Sequence, residues 1–344
     1  MSEDAAQALP QPLCLPWHRE LADRLTAAHE VQRLPHGLLL QGAEGLGKRN
    51  FAMWLGAALL CERERAAFAP CGECAACTLL RAGTHPDFQW IQPEEDKQQI
   101  SIDQIRVATQ KLAHTSARHG WKVAVIEPAH QMTMGAANSL LKTLEEPTPH
   151  SLLMLLTSQP GALPATIRSR CQQLEIAKPT PDAVQKWCFE TAAVQLEPAL
   201  LEFCSGGPLS ALAYARSGRF ADLNERMMRA VGDLLTGAAD VTQIASVWAD
   251  ERLPERLKWL DLWLSQRLRA WIAGNDELIT FPKRAVPLPT GGPPLNITAI
   301  YEVLDRIRQL RAQLTKTALQ RELAVESLLL SLLSALRPDN RHVA

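Results

Sequence analysis

Five short apolar runs punctuate the first half of the chain: Leu38 to Gln41, Asp87 to Ile91, Val123 to Ile126, Leu152 to Thr157 and Gln173 to Ile176. Helix-period stretches separate them, one spanning Asn50 to Cys61 directly after the first run. That alternation predicts an α/β domain, a parallel sheet with helices on both faces. Lys178-Pro179-Thr180-Pro181 breaks the pattern, and no strand signal follows it. From Asp182 to about Gly218 short helical segments are interrupted by Pro198 and by Gly206-Gly207-Pro208. Longer helical periodicity runs from about Arg219 to the end, split by the Pro/Gly-rich stretch Pro287 to Pro294. The predicted organisation is an α/β domain over residues 1–178, a small helical domain over 179–218 and an all-helical domain over 219–344. The last helices, about Ala299 to Leu314 and Glu322 to Leu336, carry Leu on more than one face, which suits the core of an all-α domain, a subunit interface, or both.

Composition narrows the function classes. A chain of 344 residues exceeds one compact core and fits two or three domains. Its formal net charge of −1 supplies no basic surface field, so any DNA contact is expected to be local or made by a partner. No apolar run approaches the length of a membrane span, and Met1 to Pro12 lacks the charged and apolar regions of a signal peptide, so a cytoplasmic location is expected.

The chemistry concentrates in three places. Gly42-Ala43-Glu44-Gly45-Leu46-Gly47-Lys48, between the first strand and its helix, is a phosphate-binding loop in which backbone N–H groups and a lysine meet phosphate oxygens. Arg49 follows where a Ser or Thr hydroxyl would hold Mg²⁺, and an arginine has no lone pair for a metal. A working site also needs a carboxylate at a second strand end and a neighbouring Glu to polarise water. Glu127 fits the first role, but Pro128 stands in place of the second. Second, Cys61, Cys71, Cys74 and Cys77 have the spacing of a closed tetrahedral Zn²⁺ site, against which stands accidental clustering of small buried residues. Cys14, Cys171, Cys188 and Cys204 are isolated and read as packing residues. Third, Thr166-Ile167-Arg168-Ser169-Arg170-Cys171 places Arg170 near the edge of the α/β domain; spacing alone leaves it either a salt-bridged surface arginine or one that reaches a neighbouring subunit's nucleotide.

Asn138-Ser139-Leu140-Leu141-Lys142-Thr143-Leu144-Glu145-Glu146-Pro147 and Ser169-Arg170-Cys171 resemble the clamp-loader branch of the AAA+ ATPases. The zinc cysteines and Gly83-Thr84-His85-Pro86-Asp87 are shared there by the bacterial gamma/tau and delta prime families of DNA polymerase III subunits. The defective loop makes the chain similar to the delta prime family over essentially its whole length, including Arg321-Glu322-Leu323 and Glu326 to Leu330 in the collar region. The resemblance implies a AAA+ domain with a zinc-knuckle insertion at 61–77, a helical lid over 179–218 and a collar over 219–344. It implies a hetero-pentamer with gamma/tau and delta that loads the sliding clamp onto primed DNA within the polymerase (nucleotidyltransferase) holoenzyme, where this subunit is a scaffold without ATPase of its own. Arg170 matches the arginine that acts in trans on an adjacent ATP. The lid motif that senses phosphate in active relatives corresponds to Gly207-Pro208-Leu209-Ser210, which has no arginine. Lys48 remains, so ATP or ADP binding at Gly42, Gly45, Gly47 and Lys48 stays open.

Two rivals make different demands. A self-sufficient ATPase needs Arg49 displaced, Glu127 on Mg²⁺ and another group to orient water. A DNA-binding zinc module has Arg63, Arg65 and Arg81 in its favour, but Glu62, Glu64 and Glu73 oppose them.

Overall fold

The structure, a computed structural model, describes residues 9–63, 67–95, 97–118, 120–275, 296–314 and 320–336. The expected break at Pro287 to Pro294 lies outside the described residues, as do Glu64 and Arg65. The chain divides into two compact units, Met1–Thr180 and Pro181–Ala344.

In the first unit the five predicted strands form one parallel sheet: β1 (Gly37–Gln41), β2 (Phe88–Ile91), β3 (Lys122–Ile126), β4 (Ser151–Thr157) and β5 (Gln172–Glu175), in the order β2-β3-β4-β1-β5. Leu38 pairs with Met154 on one side and Gln172 on the other. β3 and β4 are buried at every residue because helices cover both faces, which is why they read as continuous apolar runs. The edge strand β5 buries only Leu174. The helices are α1 (Arg19–Glu30), α2 (Lys48–Leu60), α3 (Ala75–Arg81), α4 (Ile102–Ala113), α5 (Met134–Glu145) and α6 (Ala165–Arg168).

Strand periodicity sorts the core into two layers. Leu38, Leu40, Val123, Val125, Met154 and Leu156 pack with Phe51 and Leu55 of α2. Leu39, Ala124, Ile126, Leu153 and Leu155 face the other way, onto Ile105 and Leu112 of α4 and Leu140 and Leu144 of α5. A Ser101 to Gln104 capping box starts α4, the Ser side chain accepting from the Gln104 backbone while Gln104 returns to Ser101 N. All strands point the same way, so the ends of β1, β3 and β4 meet along one edge.

The second unit is helical among its described residues: α7 (Pro181–Ala192), α8 (Pro198–Phe203), α9 (Pro208–Ser217), α10 (Arg219–Thr236), α11 (Val241–Trp248), α12 (Leu253–Ala273), α13 (Ile297–Gln313) and α14 (Arg321–Leu336). Pro198 and Pro208 open α8 and α9, where the absent N–H costs no helical bond. Gly218, at φ +66°, separates α9 from α10. One apolar core runs from Val184 through Phe203, the stacked pair Trp259 and Trp263, Ile307 and Leu329 to Leu336, so residues 181–217 and the later helices share it. α14 buries Leu328, Leu329 and Leu332 in this core while Leu323 and Leu330 stand out to solvent. No described helix is long and apolar enough to cross a membrane.

Candidate functional site

β1 ends at Gln41 and α2 begins at Lys48, leaving the six residues between as the phosphate-type loop. Gly45 and Gly47 adopt φ +77° and +82°. At Gly47 a Cβ would stand 2.6 Å from Leu15 Cδ1 and 3.0 Å from the His18 ring, so both backbone angle and space demand glycine. Lys48 is turned back onto the loop: its Nζ donates to the Gly42 and Ala43 carbonyls at 2.8 Å each. Burial lowers its pKa, opposed by Glu44 and Glu127.

Arg49 and Glu127, on the two arms of the site, meet each other. Arg49 Nε lies 3.0 Å from Glu127 Oε2, and the guanidinium carbon sits 5.6 Å from the Trp90 ring centre. The buried Nε–H has no aligned acceptor, so the contact is an ion pair rather than a linear hydrogen bond. Burial pushes the Glu127 carboxyl up while Arg49 and Lys48 pull it down. Where a divalent ion would bridge a loop hydroxyl and the strand-end carboxylate, a covalently attached cation faces that carboxylate instead. Thr157, buried at the end of β4, bonds His130 Nδ1 at 3.0 Å.

Sequence reasoning missed the residues that brace the loop from outside. The 3₁₀ turn Pro16–His18 brings Trp17 Nε1 to the Leu46 carbonyl at 2.9 Å. The Leu15 N–H donates to His18 Nδ1 at 3.2 Å, so Nε2 carries the proton and donates to the same carbonyl at 2.7 Å. A lone His in an apolar stretch offers no pattern from which this could be read. His18 is fully buried, and desolvation lowers its pKa from 6.5 to about 4. The unfolded chain therefore takes up this proton first: the stability is present above 6.5 and drains as pH falls toward 4. Urea unfolding should register a loss of about 2–3 kcal/mol from this group between pH 7 and pH 4.5. His29, His85 and His130 are lowered in the same sense, so the decisive measurement compares the native chain with His18→Gln, whose pH slope should be shallower; equal slopes refute the assignment.

The four cysteines converge at the end of α2 and the start of α3. Their sulfurs lie within 4.8 Å of one another, with Cys61 to Cys74 at 4.0 Å and Cys71 to Cys77 at 3.8 Å. A tetrahedral ion with sulfur at ~2.3 Å gives edges of about 3.8 Å, so the donor set fits one metal ion with no open position. The backbone N–H groups of Glu73 and Cys74 donate to Cys71 Sγ and draw that thiol down to about 6, whereas burial pushes Cys77 up to about 12. Gly72, at φ +78°, makes the turn between them. Arg63 pairs with Glu73, and Glu62 pairs with Arg118 from outside the module, while Arg81 reaches only the Gly72 carbonyl at 3.5 Å. The shared motif ending in Asp87 braces the same region. The Asp87 carboxylate accepts from Ala117 N, Arg118 N and Ser116 Oγ, holding the loop whose Arg118 reaches Glu62.

Arg170 stands at the tip of the turn between α6 and β5, 36% exposed, with Nε and Nη2 on Glu145 Oε1 at 2.8 and 2.5 Å. Its neighbour Cys171 is buried, as are Cys188 and Cys204, while Cys14 is half-buried. The loop, the cysteine cluster and Arg170 are thus three separate features of the first unit, and the described residues at Gly207 to Ser210 carry no arginine.

Family profiles described as "DNA polymerase III, delta subunit" and "DNA polymerase III, delta subunit, C terminal" match residues 17–180 and 222–333. The chain is 34% identical to DNA polymerase III subunit delta' of Pseudomonas aeruginosa over 91% of its own length and 95% of that protein's. The chain belongs to the delta prime family of DNA polymerase III subunits. Subunit delta' of Escherichia coli is 31% identical over 94% of this chain and 96% of its own. DNA polymerase III subunit tau of Bacillus subtilis is 29% identical over 68% of this chain but only 43% of its own, a likeness confined to part of that longer protein. The five-stranded parallel sheet lies within the span that the first profile matches.

Proposed function

We propose that this chain is the subunit of a clamp loader that does not hydrolyse ATP, a scaffold that completes a hetero-pentamer with gamma/tau and delta. Its own contribution to chemistry is Arg170, offered in trans to a neighbour's ATP. The observation that carries the first part is the ion pair between Arg49 and Glu127. Mg²⁺ at that carboxylate would have to displace a guanidinium carried by the residue that follows the loop lysine, and the loop supplies no hydroxyl to ligate it. Pro128 cannot activate water, and two of the three donors of the Lys48 ammonium are engaged by loop carbonyls. An exposed Arg170 at the end of a rigid turn supports the second part, because an arginine donated across an interface must be reachable. Residues 179–218 serve as the lid and 219–344 as the collar in this reading, with the outward Leu323 and Leu330 of α14 available for subunit contact. The four cysteines hold a structural zinc ion. The sliding clamp and primed DNA are met through the assembled ring.

The test pairs assembly with turnover. Mixed with tau and delta, the chain should form a stable complex; alone, it should turn over no ATP, and Lys48→Ala should change nothing. ATP hydrolysis by the isolated chain that disappears with Lys48→Ala would establish the self-sufficient ATPase instead.

A further inference from the structure

We infer that Glu145, the last residue of α5, is a positioning residue for Arg170: it fixes the guanidinium by its inner edge so that the outer edge meets a phosphate. The inference rests on the trans-arginine reading above. Two arginine nitrogens, Nε and Nη2, converge on Glu145 Oε1, and Nη1 donates to the Thr166 carbonyl at 3.1 Å with a longer contact to Ser169 Oγ at 3.5 Å. A guanidinium has five N–H donors in one plane, so these contacts fix its plane while the second N–H of Nη2 has no described acceptor within the chain.

The backbones on both sides are locked at one junction. Leu144 and Cys171, the immediate neighbours of Glu145 and Arg170, are buried against Gly37 at the start of β1. A Cβ on Gly37 would lie 2.8 Å from Leu144 Cδ2, 3.6 Å from Cys171 Sγ and 3.6 Å from the Arg170 carbonyl oxygen. His36 Nε2 bonds the Leu144 carbonyl at 2.9 Å, and Gln172 opens β5 beside Leu38. Neither backbone can drift relative to the other without opening this packed corner, so the carboxylate holds the arginine relative to the sheet, not merely relative to a loop.

Exposed pairs of this kind, here 36% and 50% exposed, contribute little to stability. Their effect is on orientation. Removing the carboxylate leaves a more positive side chain held only through Nη1, by Thr166 and Ser169; in a solvated setting the carboxylate's field is strongly screened, whereas lost alignment of a group acting on a transition state is costly. Positioning therefore wins, and the rate should fall.

The experiment uses the complex reconstituted with tau and delta. Glu145→Ala should lower kcat for ATP about tenfold at the site facing this subunit, with KM for ATP and assembly unchanged. Glu145→Gln keeps the Oε1 acceptor and should restore most of the rate. Added to Arg170→Ala, Glu145→Ala should do nothing further, because its only route is through the arginine. Full or increased rate in Glu145→Ala beside a slow Arg170→Ala overturns the inference, as does a loss that adds to that of Arg170→Ala. Arg170→Ala at full rate is a separate outcome, which removes the trans-arginine reading and this inference together.

Discussion

Replacing Arg170 by Ala is expected to slow ATP hydrolysis at the neighbouring subunit's site by about 10³-fold or more, at the lower end of what an arginine supplied in trans contributes to phosphoryl transfer. The guanidinium stabilises charge that spreads over the transferred group's oxygens only as the reaction proceeds, so the loss should appear in kcat rather than in nucleotide affinity. Assembly should survive, because the side chain is partly exposed and its Glu145 partner lies within the same unit. Arg170→Lys should rescue poorly: an ammonium is a point charge that cannot satisfy the Glu145 and Thr166 contacts and a planar phosphate contact together. Clamp loading on primed DNA, followed with single-turnover ATP hydrolysis, separates the outcomes; rates like those of the unaltered complex would dismiss the role.

Zinc removal should have the second largest effect, and it should be local. Structural sites bind zinc with ~10–16 kcal/mol in small domains that fold only around the metal. Here the metal would fasten only the module from Cys61 to α3, since α2 and the sheet have their own core of Phe51, Leu55, Val123 and Met154. The purified chain should therefore carry about one zinc ion, lost in the double variant Cys71→Ser and Cys74→Ser. Amide exchange in Ala75–Arg81 should rise steeply after chelation while β1, β3 and β4 stay protected. Substoichiometric zinc, or unchanged protection of α3 in the double variant, would deny the site a structural role.

The central strands β3 and β4 were legible because burial on both faces imposes unbroken apolar runs, and all five strands lie within a residue or two of where the pattern puts them. Pro198 and the Gly206-Gly207-Pro208 cluster were legible for a different reason: the missing proline donor belongs at a helix start, and α8 and α9 begin there. The cysteine cluster was readable from spacing alone, since short loops between thiols can hardly avoid meeting. His18, Trp17, Thr157 and His130 carry no such signal, because each acquires its partner across a long stretch of chain.

By itself, the sequence determined the α/β unit followed by helices, the loop that ends in Arg49 instead of a hydroxyl, and the absence of a carboxylate at Pro128. These are properties of residue type and spacing, which survive without coordinates. Only the tertiary structure decided what the altered loop does with its charges: Arg49 pairs with Glu127 at the end of β3, and Lys48 donates to the loop's own carbonyls. It alone joined Glu145 to Arg170, residues at the ends of separate elements brought to one corner by Gly37. The physical reason is common to both: electrostatic partners are chosen by distance in space, and the crossing of strands in a parallel sheet sets that distance.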